Sequence, residues 1–114
     1  MSDYTLENAH ENAKKWPDTF HLPDKEDIES LGTGGYVKLC FLPTDGAMGE
    51  RMWVKVKLRS GDTFRGALAN DPANLTLGRL DDPVAFREEN IFEAVSLSEM
   101  KERLLCRALG ALKV

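Results

Sequence analysis

The stretch 49–58 limits what this chain can fold into more than any other. Read alternately, Met52, Val54, Val56 and Leu58 form an apolar row, while Arg51, Trp53, Lys55 and Lys57 form a basic row that contains a tryptophan. A period of two marks a β-strand, whose successive side chains point to opposite faces. The apolar row requires a core beneath it. The basic row requires either a cover or a partner, and that choice is the functional question the sequence poses.

The same alternation recurs on both sides. A strand is expected over 36–42, with Val37, Leu39 and Phe41 inward and Tyr36, Lys38, Cys40 and Leu42 outward. The turn-rich loop 43–49, with Asp45-Gly46 at its centre, joins it to the 49–58 strand, so the two pair antiparallel. A tight turn at 59–62 leads to a strand over 63–69, with Phe64, Gly66 and Leu68 inward and Thr63, Arg65 and Ala67 outward. Gly66 marks a bend. A loop carrying Leu75, Leu77 and Leu80 precedes a short strand over 83–87, where Pro83 indicates an edge, and 91–95 is a fifth strand. Short antiparallel strands at this spacing predict a small bent sheet or an SH3-like, partly open β-barrel.

Helical segments flank this core, which makes the fold class α+β. A helix over 2–15 carries Leu6, Ala9, Ala13 and Trp16 on one stripe and stops at Pro17; Trp16 and Phe20 are expected to anchor it. A second, short helix over 22–32 has Asp24 as its cap and Gly32 in the left-handed position after its end. Thr33-Gly34-Gly35 runs from a helix into a strand, the reverse of a phosphate-binding loop, and reads as a turn. Ser96 and Glu99 form a capping box that opens a helix bearing Leu97, Met100, Leu104, Leu105, Ala108, Leu109 and Leu112. That apolar stripe either packs on the domain or makes a homodimer. The chain is expected to be one domain, with a helical arm over 1–35, a β core over 36–95 and a C-terminal helix over 96–114.

Charge narrows the partner. Net charge is −4 over 114 residues, so no global cationic field draws nucleic acid. Residues 36–69 nevertheless carry 3 acidic and 6 basic side chains, against 8 and 3 in 1–35 and 8 and 6 in 70–114. The positive charge therefore sits in the sheet.

Chemistry is sparse. Cys40 and Cys106 lack paired-cysteine spacing and read as reduced thiols in an apolar pattern, with a disulfide between them as the alternative. His10 and His21 lack companion ligands, so no metal site is expected, and no cofactor motif is present. No nucleophile lies beside a base, and the adjacent carboxylates Asp81-Asp82 and Glu88-Glu89 point to opposite faces if extended. Glu50-Arg51 reads as a weak surface ion pair. With no signal-like start and no run long enough to span a membrane, the expectation is a non-enzymatic cytoplasmic protein. Its site is Trp53, Arg51, Lys55, Lys57, Tyr36, Lys38 and Arg65, and its ligand is a protein partner, fitting an acidic one. The alternative is single-stranded nucleic acid stacked on Trp53 and Tyr36, which the acidic flanks oppose. The outer row is otherwise covered by the N-terminal arm, through Trp16, or by the C-terminal helix.

Five segments, Pro17-Asp18-Thr19-Phe20, the run from Leu31 to Leu39, Gly49-Glu50-Arg51-Met52-Trp53-Val54, Gly66 to Pro72, and Val84-Ala85-Phe86 with Ile91, together resemble the bacterial YegJ-like family, a domain of unknown function. The resemblance covers about Ala9 to Ile91. The chain has Gly34-Gly35 and Asp81-Asp82 where that family shows Gly-Asp. The resemblance implies a bacterial source and carries over no catalytic or cofactor-binding residue.

Overall fold

The computed structural model describes residues 4–112, with the backbone alone described at 75, 104 and 106–112. Six strands and three helices follow in the order β1 (Tyr4–Leu6), α1 (Ala9–Lys15), α2 (Lys25–Glu29), β2 (Tyr36–Pro43), β3 (Glu50–Ser60), β4 (Thr63–Leu68), β5 (Pro83–Arg87), β6 (Glu93–Val95) and α3 (Leu97–Leu112). All strands belong to one antiparallel sheet ordered β1-β2-β3-β4-β5, with β6 also on β2. β1 pairs with Phe41 to Pro43 and β6 with Tyr36 to Lys38, so the two lie end to end beside β2. The sheet curls into a nearly closed barrel whose seam lies between β1 and β5.

The inward rows meet as the sequence pattern requires. Val37, Leu39, Phe41, Met52, Val54, Val56, Phe64, Leu68, Val84, Phe86 and Ile91 form one core, plugged by Ile28, Leu31 and Leu77. Phe64 and Phe86 stack face to face with centroids 5.0 Å apart. Each such side chain contributes about 1.5–3 kcal/mol by leaving water, which makes this cluster the main source of stability. Gly66 lies where β4 presses on β3, since a Cβ there would stand 2.7 Å from Val54 Cγ1. The bend inferred from the sequence is thus a close backbone approach.

The 3-residue β1 replaces the first half of the expected N-terminal helix. Asn8 caps α1 by accepting from the Glu11 N–H at 3.0 Å, so the helix begins only at Ala9; Ser2, where the helix was expected to begin, lies outside the described residues. Trp16 is not an anchor: it is 59% exposed, while Phe20 packs on Phe92 with centroids 5.0 Å apart. α2 is shorter than expected, and Asp24 occupies its cap position without a side-chain bond. The left-handed glycine is Gly34 (φ 94°), not Gly32, and a Cβ on Gly34 would stand 3.1 Å from Leu97 Cδ2. Glu50 does not pair with Arg51; its carboxylate accepts the Ala73 and Asn74 N–H groups at 3.2 and 2.8 Å and pins the 70–82 loop.

The largest departure lies in β3. Val56 pairs with Gly66, but the next pair is Leu58 with Arg65, so the register slips by one residue at Lys57. This β-bulge reverses the faces beyond it. Leu58, expected inside, is 64% exposed, and Arg59 turns in over Phe64 with its guanidinium carbon 4.7 Å from the ring centroid.

The glycine run explains how the bulge is held. Gly34 N–H donates to the Val56 carbonyl at 2.9 Å, and Val56 N–H to the Gly35 carbonyl at 2.8 Å. Thr33 Oγ1 donates to the Lys57 carbonyl at 2.9 Å. Arg59 donates to the carbonyls of Ile28 and Leu31 at 2.7 and 3.1 Å. Segment 28–35 is thus a strap laid along the irregular end of β3.

At the C-terminus, Ser96 Oγ accepts the Glu99 N–H at 3.1 Å, while the Glu99 carboxylate pairs with Arg103 instead of returning to Ser96. Leu97 and Leu105 on α3 are 43% and 60% exposed. The expected stripe residues Leu104, Ala108, Leu109 and Leu112, and Cys106 with its disulfide alternative, have side chains outside the described residues. No described helix is long and apolar enough to cross a membrane.

Candidate functional site

The outer face of β2 and β3 is built in three cross-strand rows: Cys40 with Arg51, Lys38 with Trp53, and Tyr36 with Lys55. The hairpin register places these pairs opposite one another, and the arm treats each row differently.

The Cys40 row is covered at Cys40 and open at Arg51. Cys40, Ala9 and Phe92 form a second small core with Phe20 packed against it, and Arg51 lies over Phe92 and Phe20 with its guanidinium carbon 5.0 and 6.0 Å from the centroids. Arg51 therefore joins the arm rather than the tryptophan. Burial, reinforced by a hydrogen bond to Glu7 and by the charge of its carboxylate, pushes the Cys40 thiol from 9.0 up to about 12, against the weaker pull of Arg51. Burial also raises the Tyr4 phenol, with a further contribution from Asp82.

Both groups hold their protons more tightly in the folded protein. Stability contributed by Cys40 is therefore complete below pH 9.0 and lost as pH rises toward 12. In a Cys106→Ser variant at pH 8.5, iodoacetamide will modify native Cys40 on the order of a hundredfold more slowly than the unfolded chain. Equal rates would show that the thiol is not shielded.

The middle row is half-buried. Lys38 Nζ stands 4.7 Å from the Trp53 ring centroid and 3.2 Å from a Glu93 carboxylate oxygen on β6. The Trp53 N–H makes a short hydrogen bond to Asn70 Oδ1, and its carbonyl accepts the Ala69 N–H at 2.8 Å, so the tryptophan backbone is fixed from the β4 side. Trp16, more than half exposed, is not the residue that shields Trp53.

Fluorescence separates the two tryptophans. In a Trp16→Phe variant the remaining Trp53 emission will be blue-shifted and at least about twofold less quenched by acrylamide than the Trp16 emission of a Trp53→Phe variant. Equal quenching would mean that Trp53 is fully displayed.

Beyond these rows the bulge widens the surface. Tyr36 and Lys55 are half-buried, while Lys57, Leu58 and Arg65 are exposed. Among the described residues, the side chains of Lys55, Lys57 and Arg65 form no ion pair or hydrogen bond. The structure thus brings Tyr36, Lys38, Trp53 and Lys55 together as one quartet, diverts Arg51 to the arm, and places Lys57 and Arg65 further along the sheet beside Leu58. Leu58 is the surface residue sequence reasoning missed, because the alternation from Met52 through Leu58 is unbroken. The available signal was the arginine that follows it, which the strap carbonyls draw inward.

Two of the cavities lined by described residues lie along the barrel. One of about 670 Å³ is lined by Leu58 to Ser60, Thr63 to Arg65 and Ala85 to Arg87 with Asn90. The other, about 530 Å³, lies in the seam and is lined by Tyr4, Leu6, Arg65, Pro83 to Ala85 and Asn90. His10 and His21 are exposed, and no three metal-ligating side chains converge among the described residues. No protein-family model, curated protein or solved structure matches this chain.

Proposed function

We propose that this chain is a non-enzymatic bacterial protein-binding module of the YegJ-like kind, acting in the cytoplasm, that takes an acidic partner protein on the outer face of β2, β3 and β4. The observation that carries this reading is the set of cations Lys55, Lys57 and Arg65, whose side chains have no partner among the described residues, beside the half-buried aromatics Trp53 and Tyr36. Tryptophan, tyrosine and arginine are the residue types that dominate interface energetics, and the lysines beside them would steer an acidic partner. The seating of Lys38 over Trp53 favours a protein over single-stranded nucleic acid, because a stacking base needs an open ring face.

The test is affinity capture from lysate of the source organism with the wild-type chain and a Lys55→Glu/Lys57→Glu variant. Neither side chain has a partner among the described residues, so the variant is expected to fold. A protein retained by wild type and lost by the variant, with capture falling as salt rises, supports the reading. Equal capture by both chains refutes it, as does saturable binding of a mixed-sequence oligonucleotide at low salt with no protein captured.

A further inference from the structure

The bulge does more than tilt the sheet: it puts a leucine where a core residue was expected, at the mouth of a cavity with arginines around it. We infer that the cavity beside Leu58, Arg65, Ala85 and Arg87 is an anchor pocket for an acidic peptide segment of the partner, receiving one apolar side chain flanked by carboxylates. The inference rests on the proposed protein-binding function and deepens it.

Charge complementarity identifies this occupant. On a chain of net charge −4, the cavity lining contains three arginines, Arg59, Arg65 and Arg87, and no acidic residue. Arg59 is committed to the strap carbonyls and to Phe64. The Arg65 side chain has no partner among the described residues, and the Arg87 side chain has an ion pair of 4.0 Å to Asp62, the Arg87 and Asp62 side chains both being more than half exposed. Two guanidinium groups are thus available to carboxylates, which they bind in a planar, two-pronged fashion. Leu58 at 64% exposure and Ala85 supply apolar wall, and about 670 Å³ lies within the range of sites that bind small groups.

Recognition by side chains, rather than by addition of a strand, follows from the edge of β5. Arg87 N–H is bonded to Asn90 Oδ1 at 2.9 Å, away from β4, so Ala85 N–H, two residues earlier, points toward the seam. At the next position of the same phase Pro83 has no N–H to give. The edge is blunted at both ends and leaves too short a ladder for an added strand.

The experiment is amide NMR of the labelled full chain titrated with a capped pentapeptide of four glutamates around a central leucine. Saturable shifts are expected at Leu58, Arg65, Ala85 and Arg87. Affinity should fall about tenfold in Arg65→Gln, whose spectrum reports folding, and about tenfold when the peptide leucine becomes serine. Leu58→Ser supplies a second variant with the same expected direction. Shifts confined to Tyr36, Lys38, Trp53 and Lys55 would overturn this pocket while leaving the protein-binding reading standing. Equal binding of the all-glutamine peptide, or no saturable shift up to the solubility limit, would also overturn it.

Discussion

Gly66→Val will destabilise the barrel by about 3 kcal/mol or more, enough to leave a large fraction of chains unfolded at 37 °C. The new Cβ would meet Val54 Cγ1 and the Lys55 backbone on the neighbouring strand, and backbone cannot swing aside as the end of a flexible side chain can. Gly66→Ala will show most of the effect, since the clash is already present at Cβ. Gly32→Ala is the control: a Cβ there meets nothing within 4 Å, and the change is expected to be neutral or slightly stabilising. Urea denaturation of the three variants checks this. An undisturbed midpoint for Gly66→Ala would mean that β3 and β4 are further apart than described.

Arg59→Leu is the second large effect, expected at about 2–3 kcal/mol and a melting temperature lower by about 10 °C. The guanidinium fork bridges the carbonyls of Ile28, Leu31 and Gly61 while lying over Phe64, and leucine keeps only the apolar part of that role. Lysine at 59 will recover less than half of the loss, because a single ammonium cannot serve three acceptors spread along a fork. Amide hydrogen exchange distinguishes this from general destabilisation. Exchange in 28–35 should accelerate first, since the arginine ties that strap to β3. Uniform acceleration across the barrel would show that Arg59 is merely another core residue.

These two residues also mark the boundary between what the sequence discloses and what it does not. β2, β3 and β4 were legible because their inward and outward residues alternate and because tight turns fix antiparallel neighbours. The same arithmetic put Tyr36 and Lys38 on the same face as Trp53 and Lys55, while the register that sets Lys38 opposite Trp53 and Tyr36 opposite Lys55 came from the structure. β1 was not legible: a strand of 3 residues has no readable period, and its partner is β2, which starts only at Tyr36. The bulge was hidden for the opposite reason. Met52, Val54, Val56 and Leu58 alternate without a flaw, yet the strap competes for the backbone at Val56 and Lys57 and overrides the pattern. Local pattern cannot report a contact with a segment more than twenty residues earlier. Arg51 and Trp16 were misplaced likewise, because Phe92 and Phe20, which decide where the arm packs, follow no shared period with them.

The orientation of Leu58 and Arg59 underlies the anchor pocket, and one measurement reads it directly. In a side-chain NOE spectrum, Arg59 δ-protons should be shifted upfield and give NOEs to the Phe64 ring, over which the guanidinium sits at 4.7 Å. The Leu58 methyls should resonate near random-coil positions with no NOE to Phe64 or Phe86. Strong NOEs from the Leu58 methyls to those two rings would show that β3 runs without a bulge, that Arg59 faces solvent, and that the anchor pocket does not exist.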